Sequence, residues 1–230
     1  MERLIYHIDV NNAFLSWEAL QRLQDDPTSI DIRTIPSAIC GDPQKRHGII
    51  LAKSPLAKQY RISTAETIQS ALKKCPQLQL FPSRYHVYQQ YSNNFHKLLT
   101  QYTDCIEPFS IDEAFLDVTD YLHLYQMTAV ELGRKIMQDI LDTTKIPAAC
   151  GVGTNLYLAK VALDIMAKHE TDRIAYLDEA RYREKLWKHK PLTDFWRVGR
   201  GTVERLSNMG ICTMEEIAHA RESLLYKAFG

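Results

Sequence analysis

The cysteines of this chain contain no CxxC pair. The five present (Cys40, Cys75, Cys105, Cys150 and Cys212) are scattered and odd in number, which argues against a disulfide framework. Reduced, buried thiols of a cytoplasmic protein are the expectation. Long apolar runs are missing as well: no stretch of about 18 apolar residues occurs. The N-terminal MERLIYHIDV has no long apolar region, so neither secretion nor membrane insertion is expected. Net charge is also absent. Lys and Arg number 28 and Asp and Glu number 28, so overall electrostatics announces no nucleic-acid binder, and any contact of that kind must be local. Repeats, low-complexity segments and flexible linkers are lacking too. What remains is a chain of 230 residues, enough to bury a sizeable core as one large domain or two small ones.

Two stretches carry the chemistry, HIDVNNAFLSWE from His7 and SIDEAFLDV from Ser110. In the first, Ile5, His7 and Asp9 alternate with Tyr6, Ile8 and Val10 as a strand would, and Asn11 and Asn12 break it just after the acid. Asp9 is therefore placed at a strand end. In the second, Asp112 and Glu113 precede the apolar run of Ala114, Phe115, Leu116 and Val118, suited to a sheet covered on one face by helices. Taken singly, an Asp at a strand end is a common turn or cap residue and an Asp-Glu pair is usually solvated. Brought together, three carboxylates would repel by roughly 4 kcal/mol per pair at about 4 Å and an effective dielectric near 20, so they would need divalent cations or unusual protonation. Oxygen-only ligands favour magnesium or manganese, and a pair of such ions serves in-line phosphoryl transfer. Adjacent strand residues point to opposite faces, so Asp112 and Glu113 can share a site only at a bulge, a strong twist or a strand end.

Along the chain, Phe14 to Leu23 reads as a helix. Ile35 to Ile39 and Gly48 to Ala52 read as short strands joined by GDPQKRH, and PLAKQYRISTAETIQSALKKCP reads as helix, turn and helix. Leu78 to Phe81 resumes strand character, Tyr85 to Tyr102 has a long helical pattern, and the SIDEAFLDV strand follows. Val130 to Thr143 is an amphipathic helix, Ala148 to Val152 a strand and Leu156 to Ala167 a helix. From Asp172 onward short helices are expected.

HIDVNNAF and SIDEAFLD, in this order and separation, resemble the two signature motifs of the Y-family DNA polymerases, the DinB/UmuC translesion type, and the resemblance covers essentially the whole chain. It implies an α+β fold: a ferredoxin-like polymerase palm over residues 1–10 and 81–171, a small fingers domain inserted over 11–80, and a helix-hairpin-helix thumb over 172–230. The implied activity is translesion DNA-directed DNA polymerisation, adding dNTPs to a primer opposite damaged template. Asp9, Asp112 and Glu113 are implied as catalytic metal ligands with the Val10 carbonyl as a backbone ligand, holding two Mg2+ ions, with Mn2+ as the alternative. Phe14 aligns with the aromatic steric gate that excludes a ribose 2′-hydroxyl, against the plain reading of a core aromatic at helical spacing. Ala13 and Asn11 depart from residues common in the family, as does Pro55. Lys58 matches a fingers arginine and Lys168 a palm lysine, both toward the triphosphate; Lys168 needs one inserted residue to align, and Lys160 is its nearest competitor. In DFWRVGRGTVERLSNMGI, Gly199, Arg200 and Gly201 resemble the helix-hairpin-helix turn that approaches a DNA phosphate.

Two rivals stand beside this reading: a catalytically silent homologue acting as a DNA-binding accessory, disfavoured by the three acids, and a nucleotidyl cyclase on the same palm, disfavoured by the fingers and thumb segments. The resemblance further implies primer-template DNA and dNTP as partners and no membrane. A sliding clamp would be reached only through a C-terminal region, and a little-finger domain is expected to be absent from this shortened or split form.

Overall fold

The computed structural model describes residues 3–42 and 48–230; Pro43 to His47, within the expected GDPQKRH connection, lie outside the described residues. Eight strands occur among the described residues: β1 (Ile5–Val10), β2 (Ser37–Cys40), β3 (Ile50–Lys53), β4 (Gln79–Pro82), β5 (Ile106–Pro108), β6 (Glu113–Asp117), β7 (Ala148–Gly153) and β8 (Ile174–Leu177). They form a five-stranded sheet in the order β5-β6-β1-β7-β8 and a three-stranded sheet in the order β3-β2-β4. The chain divides into two compact units. One runs to Asp9 and adds Leu99–Phe109 and Glu113–Gly230; the other comprises Val10–Leu98 and Ser110–Asp112.

In the first unit, β1 is buried along almost its whole length because Ile5, Tyr6 and Ile8 are apolar and face covering layers. It pairs antiparallel with β6 in a register that sets His7 opposite Phe115 and Asp9 opposite Glu113. Helix Ala129–Thr144 returns the chain from β6 to β7. A capping box between Thr128 and Glu131 starts it, and Leu132, Ile136 and Ile140 recur every fourth residue to give its buried stripe. The order β5-β6-β1-β7 is that of a ferredoxin-like sheet, as expected from the strand and helix succession.

Beyond Asp172, where short helices are expected, the structure first adds the strand β8. Ile174, Ala175 and Leu177 are buried and pair parallel with Cys150 to Gly153, adding a strand to the sheet edge. The helices that follow (Glu179–Leu186, Arg200–Asn208, Met214–His219 and Glu222–Phe229) share this core, where Leu186, Leu192, Phe195, Leu206 and Ile211 cluster with Ala162, Leu163 and Leu177. Residues 172–230 fall within the first compact unit.

Two glycines fix where the next helix lies. A Cβ on Gly151 would stand 2.0 Å from the Ala159 carbonyl oxygen, and one on Gly153 would stand 2.3 Å from the Ala159 nitrogen, so β7 admits the helix only at close backbone approach. That helix begins at Leu156 with Asn155 as its cap, widens to a π turn over Ala162–Met166 and tightens to a 3₁₀ turn over Ala167–His169. A π turn takes in one extra residue.

The second unit holds helix Ala13–Asp25, β2 to β4, the short helices Pro55–Gln59 and Ile68–Lys74, and helix Tyr85–Leu99 up to Leu98. Its small core gathers Ala38, Cys40, Ile50, Ala57, Ile62, Ile68, Ala71, Cys75 and Leu78. The compact units thus differ from the expected boundary at residue 80. Residues Tyr85 to Leu98 group with the inserted segment because Phe14 and Trp17 pack on Tyr85, Tyr88 and Tyr91, and Glu18 binds Arg84 and Tyr88. Of the cysteines, Cys40, Cys75 and Cys150 are buried as expected, whereas Cys105 and Cys212 are exposed.

Candidate catalytic site

Asp9 and Glu113 are directly opposed across the antiparallel β1–β6 ladder. Such cross-strand neighbours have Cβ atoms about 5 Å apart, and two like charges there repel. Each carboxylate is answered by its own lysine. Lys168 Nζ lies 2.6 Å from Asp9 Oδ2, and Lys160 Nζ donates to Glu113 Oε2 at 3.0 Å. Between the lysines stands Asp164, 3.2 Å from Lys160 and 3.1 Å from Lys168. The spacing 160, 164, 168 presents all three on one side of the helix that Gly151 and Gly153 draw onto the sheet.

The two lysines differ in setting. The side chain of Lys160 is 7% exposed and sits beneath Phe109, its Nζ 5.3 Å from the ring centroid, whereas that of Lys168 is 37% exposed. Lys160 is thus fixed in the interior. Lys168 has a route to solvent. Burial works against the Lys168 ammonium, but the charges of Asp9 and Asp164 outweigh it and raise its pKa.

His7 was missed as a site residue. It is fully buried on the same face of β1 as Asp9, two residues away, and its Nε2 lies 3.1 Å from Glu113 Oε2. Burial chiefly lowers its pKa, with the Glu113 hydrogen bond opposing, so the neutral ring donates from Nε2. Burial pushes the Glu113 carboxyl up, and His7 and Lys160 more than reverse this, leaving it at about 2. Both donors act on Oε2 of Glu113. Among the described residues His7 Nδ1 has no hydrogen-bond partner. The alternation of β1 was the signal that could have found His7, and the spacing by fours was the signal for Asp164.

In the second unit, Asn12 adopts the left-handed conformation with φ of 50°, turning the chain from β1 into helix Ala13–Asp25, and its side chain donates to the Lys53 carbonyl at 2.9 Å. Val10 N–H donates to the Asp112 carbonyl at 3.0 Å. Asp112 lies just before β6 begins, and its carboxylate accepts from Ser110 Oγ at 2.8 Å. Glu113 opens β6 and Asp112 belongs to the preceding bend. Ala13 is buried. The half-buried Phe14 ring stacks on Tyr88 with centroids 5.0 Å apart. Lys58 is exposed on helix Pro55–Gln59, which is capped by Ser54 and opened by Pro55 at its first position. Lys53, missed in the sequence, is close enough that burial and then the Lys58 charge lower its pKa.

Gly199 and Gly201 lie at the start of helix Arg200–Asn208, in the first unit. A Cβ on either meets nothing within 4 Å, and Gly199 has an ordinary extended backbone. Neither packing nor conformation calls for glycine there. What glycine leaves is open backbone N–H at a helix start. The Arg197 guanidinium lies over the Trp196 ring at 4.7 Å, and Trp196 is held by Phe109, Phe115 and Tyr157.

A divalent cation is implied by this chemistry. Among the described residues no three or more His, Cys, Asp or Glu side chains are gathered as a metal cage. The donor set still fits a hard cation, since Asp9 and Glu113 offer oxygen only and face each other at matched register. No described helix is long and apolar enough to cross a membrane.

A model of the impB/mucB/samB family matches residues 8–164. The chain is 38% identical over 229 residues to the DNA polymerase IV of Clostridium acetobutylicum, covering 100% of itself and 56% of that protein. It is 34% identical to the DNA polymerase IV of Photorhabdus laumondii, covering 99% of itself and 61% of the relative. Among solved structures, it matches a Y-family DNA polymerase chimera of Dbh and Dpo4 with a TM-score of 0.85, and an insertion ternary complex of Dbh DNA polymerase with a TM-score of 0.83. Both are 26% identical, and each match spans 99% of this chain and 63% of the other. The chain therefore spans somewhat over half the length of the relatives it matches.

Proposed function

Because the chain belongs to the impB/mucB/samB family, we propose that it is the catalytic part of a translesion-type DNA-directed DNA polymerase, adding dNTPs to a primer 3′-end opposite damaged template, as part of DNA damage tolerance. The observation that carries this reading is the opposed pair Asp9 and Glu113, each matched to a separate lysine on one helix. Asp9, Asp112, Glu113 and the Val10 carbonyl are the proposed ligands of two Mg2+ ions, with Mn2+ as a substitute. Bound there, the ions would activate the primer hydroxyl and stabilise the leaving oxygen.

The remaining roles belong to the chain. Oε2 of Glu113 is taken by His7 and Lys160, so Glu113 serves through Oε1 and is held in one orientation. Lys168 and Lys58 attract the triphosphate, the first from a partly exposed position and the second from solvent. Lys160, the rival palm lysine, is committed to Glu113 and Asp164 in the interior. The Phe14 ring, rigid within its aromatic cluster, is the proposed gate against ribonucleotides. Backbone N–H groups at Gly199, Arg200 and Gly201 are the proposed phosphate contact. Palm, fingers and thumb are the corresponding proposed domains, and the cytoplasm the proposed location.

Primer extension with Mg2+ tests the whole reading. Asp112→Ala should abolish addition while folding and primer-template binding persist, because loss of a cation ligand removes transition-state stabilisation and not packing. Extension within roughly tenfold of the parent would remove Asp112 from the assignment. The same assay run for cyclic nucleotide product distinguishes a nucleotidyl cyclase.

A further inference from the structure

Five charged side chains form an unbroken series of alternating sign, running Glu113, Lys160, Asp164, Lys168 and Asp9. Its links are 3.0 Å, 3.2 Å, 3.1 Å and 2.6 Å. The two ends of the series are the carboxylates that oppose each other across β1 and β6. The shortest link is the one between Lys168 and Asp9. An ammonium at that distance occupies an oxygen lone pair that a divalent cation would require, and two cations cannot share it at contact.

The rest of the series is arranged for Lys168 to leave. Its side chain is 37% exposed, while Lys160 is 7% exposed and held between Glu113 and Asp164. Should a divalent cation take the place of Lys168 at Asp9, Asp164 keeps Lys160 as its counter-charge, so neither carboxylate loses its compensation. We propose that Lys168 is the resident counter-ion of Asp9, and that divalent-cation binding at Asp9 and transfer of Lys168 to an incoming triphosphate are a single linked exchange. The proposal rests on Asp9 being a cation ligand. Linkage makes the effect reciprocal: a triphosphate that draws Lys168 away tightens cation binding, and a cation that displaces Lys168 tightens triphosphate binding by the same factor.

The test is Mn2+ binding to the full chain without DNA, followed by electron paramagnetic resonance of the free ion near neutral pH. Lys168→Met removes the competitor and should tighten Mn2+ binding by at least about threefold, whereas Lys168→Arg keeps the charge and should bind as the parent does. A non-hydrolysable dNTP should tighten Mn2+ binding more in the parent than in Lys168→Met. Lys168→Gln gives a second neutral variant should the methionine form fail to fold. Unchanged or weaker Mn2+ binding in a folded neutral variant overturns the exchange. Asp9→Asn separates the levels: if it leaves Mn2+ binding unaltered, Asp9 is not the ligand and the underlying reading fails. If it weakens binding about tenfold while the Lys168 variants change nothing, only the exchange fails.

Discussion

The ring of Phe14 lies stacked on that of Tyr88, centroids 5.0 Å apart and planes inclined by 22°, and the Tyr88 hydroxyl donates at 3.0 Å to the buried carboxylate of Glu18. Tyr85 meets Phe14 edge-on at 5.8 Å. The half-buried ring is thus backed by aromatic surface, and its conformational freedom is small. If this ring excludes the 2′-hydroxyl, Phe14→Ala should raise ribonucleotide incorporation by at least roughly tenfold, a change of about 1.4 kcal/mol in discrimination. Tyr88→Phe keeps the stack and should leave discrimination at the parental level. Competition between dNTP and rNTP in primer extension measures both, and a folded, active Phe14→Ala with parental discrimination would return Phe14 to a packing role.

Glu18 carries a second, structural prediction. Its fully buried carboxylate is met by Arg22 at 2.8 Å, Arg84 at 3.1 Å and the Tyr88 hydroxyl. Both arginines are about one-third exposed and can rehydrate when their partner is removed. The loss on Glu18→Ala should therefore fall near the lower end for a broken buried pair, about 3 kcal/mol. Glu18→Gln preserves an acceptor for Tyr88 and should cost less. Urea denaturation measures the difference, and an alanine variant within about 0.5 kcal/mol of the parent would show that the network is not what ties the two helices.

The candidate face was legible because strand alternation is strict: a polar residue at Asp9 inside an apolar run can only mark a strand end or a functional face. The opposition of Asp9 to Glu113 is a matter of pairing register, which no local pattern states. β8 went unseen because its four residues are too few for a period to emerge and become a strand only by pairing with β7. Lys160 and Lys168 lie on one helix side by their spacing, yet only the depth of each side chain separates the interior lysine from the accessible one. The π turn over Ala162–Met166 likewise has no compositional signature.

Asp31 gives a pH dependence. It caps the 3₁₀ turn Ile32–Thr34, accepting from Arg33 N–H at 2.9 Å and from the Arg33 guanidinium at 2.7 Å, and that bond to Arg33 holds its carboxyl below the usual range. A depressed folded-state pKa means that the stabilisation is present above the unfolded value near 4 and is lost as pH falls through the folded one. Asp31→Asn should lower stability by about 1 kcal/mol near pH 6, with the gap closing in acid as pH falls through the lowered folded-state value and the parent becomes protonated. Denaturation midpoints of both proteins across that range measure it. A gap that persists undiminished in acid would assign the effect to the cap geometry alone.

Gly201 separates folding from recognition. It stands at the second position of helix Arg200–Asn208, where an added Cβ meets nothing within 4 Å. Alanine is the better helix former and restricts the unfolded chain, so Gly201→Ala should stabilise the protein by about 0.5–1 kcal/mol. If the backbone there approaches a DNA phosphate, the same methyl group occupies the space of the approach, and primer-template affinity should fall by at least about threefold. A gain in thermal midpoint together with a loss of affinity is therefore the expected signature, read by a melting curve and by fluorescence anisotropy at fixed salt. A stabilised variant that binds primer-template as tightly as the parent would mean that the glycine turn faces solvent in the complex, and would move the phosphate contact to another surface.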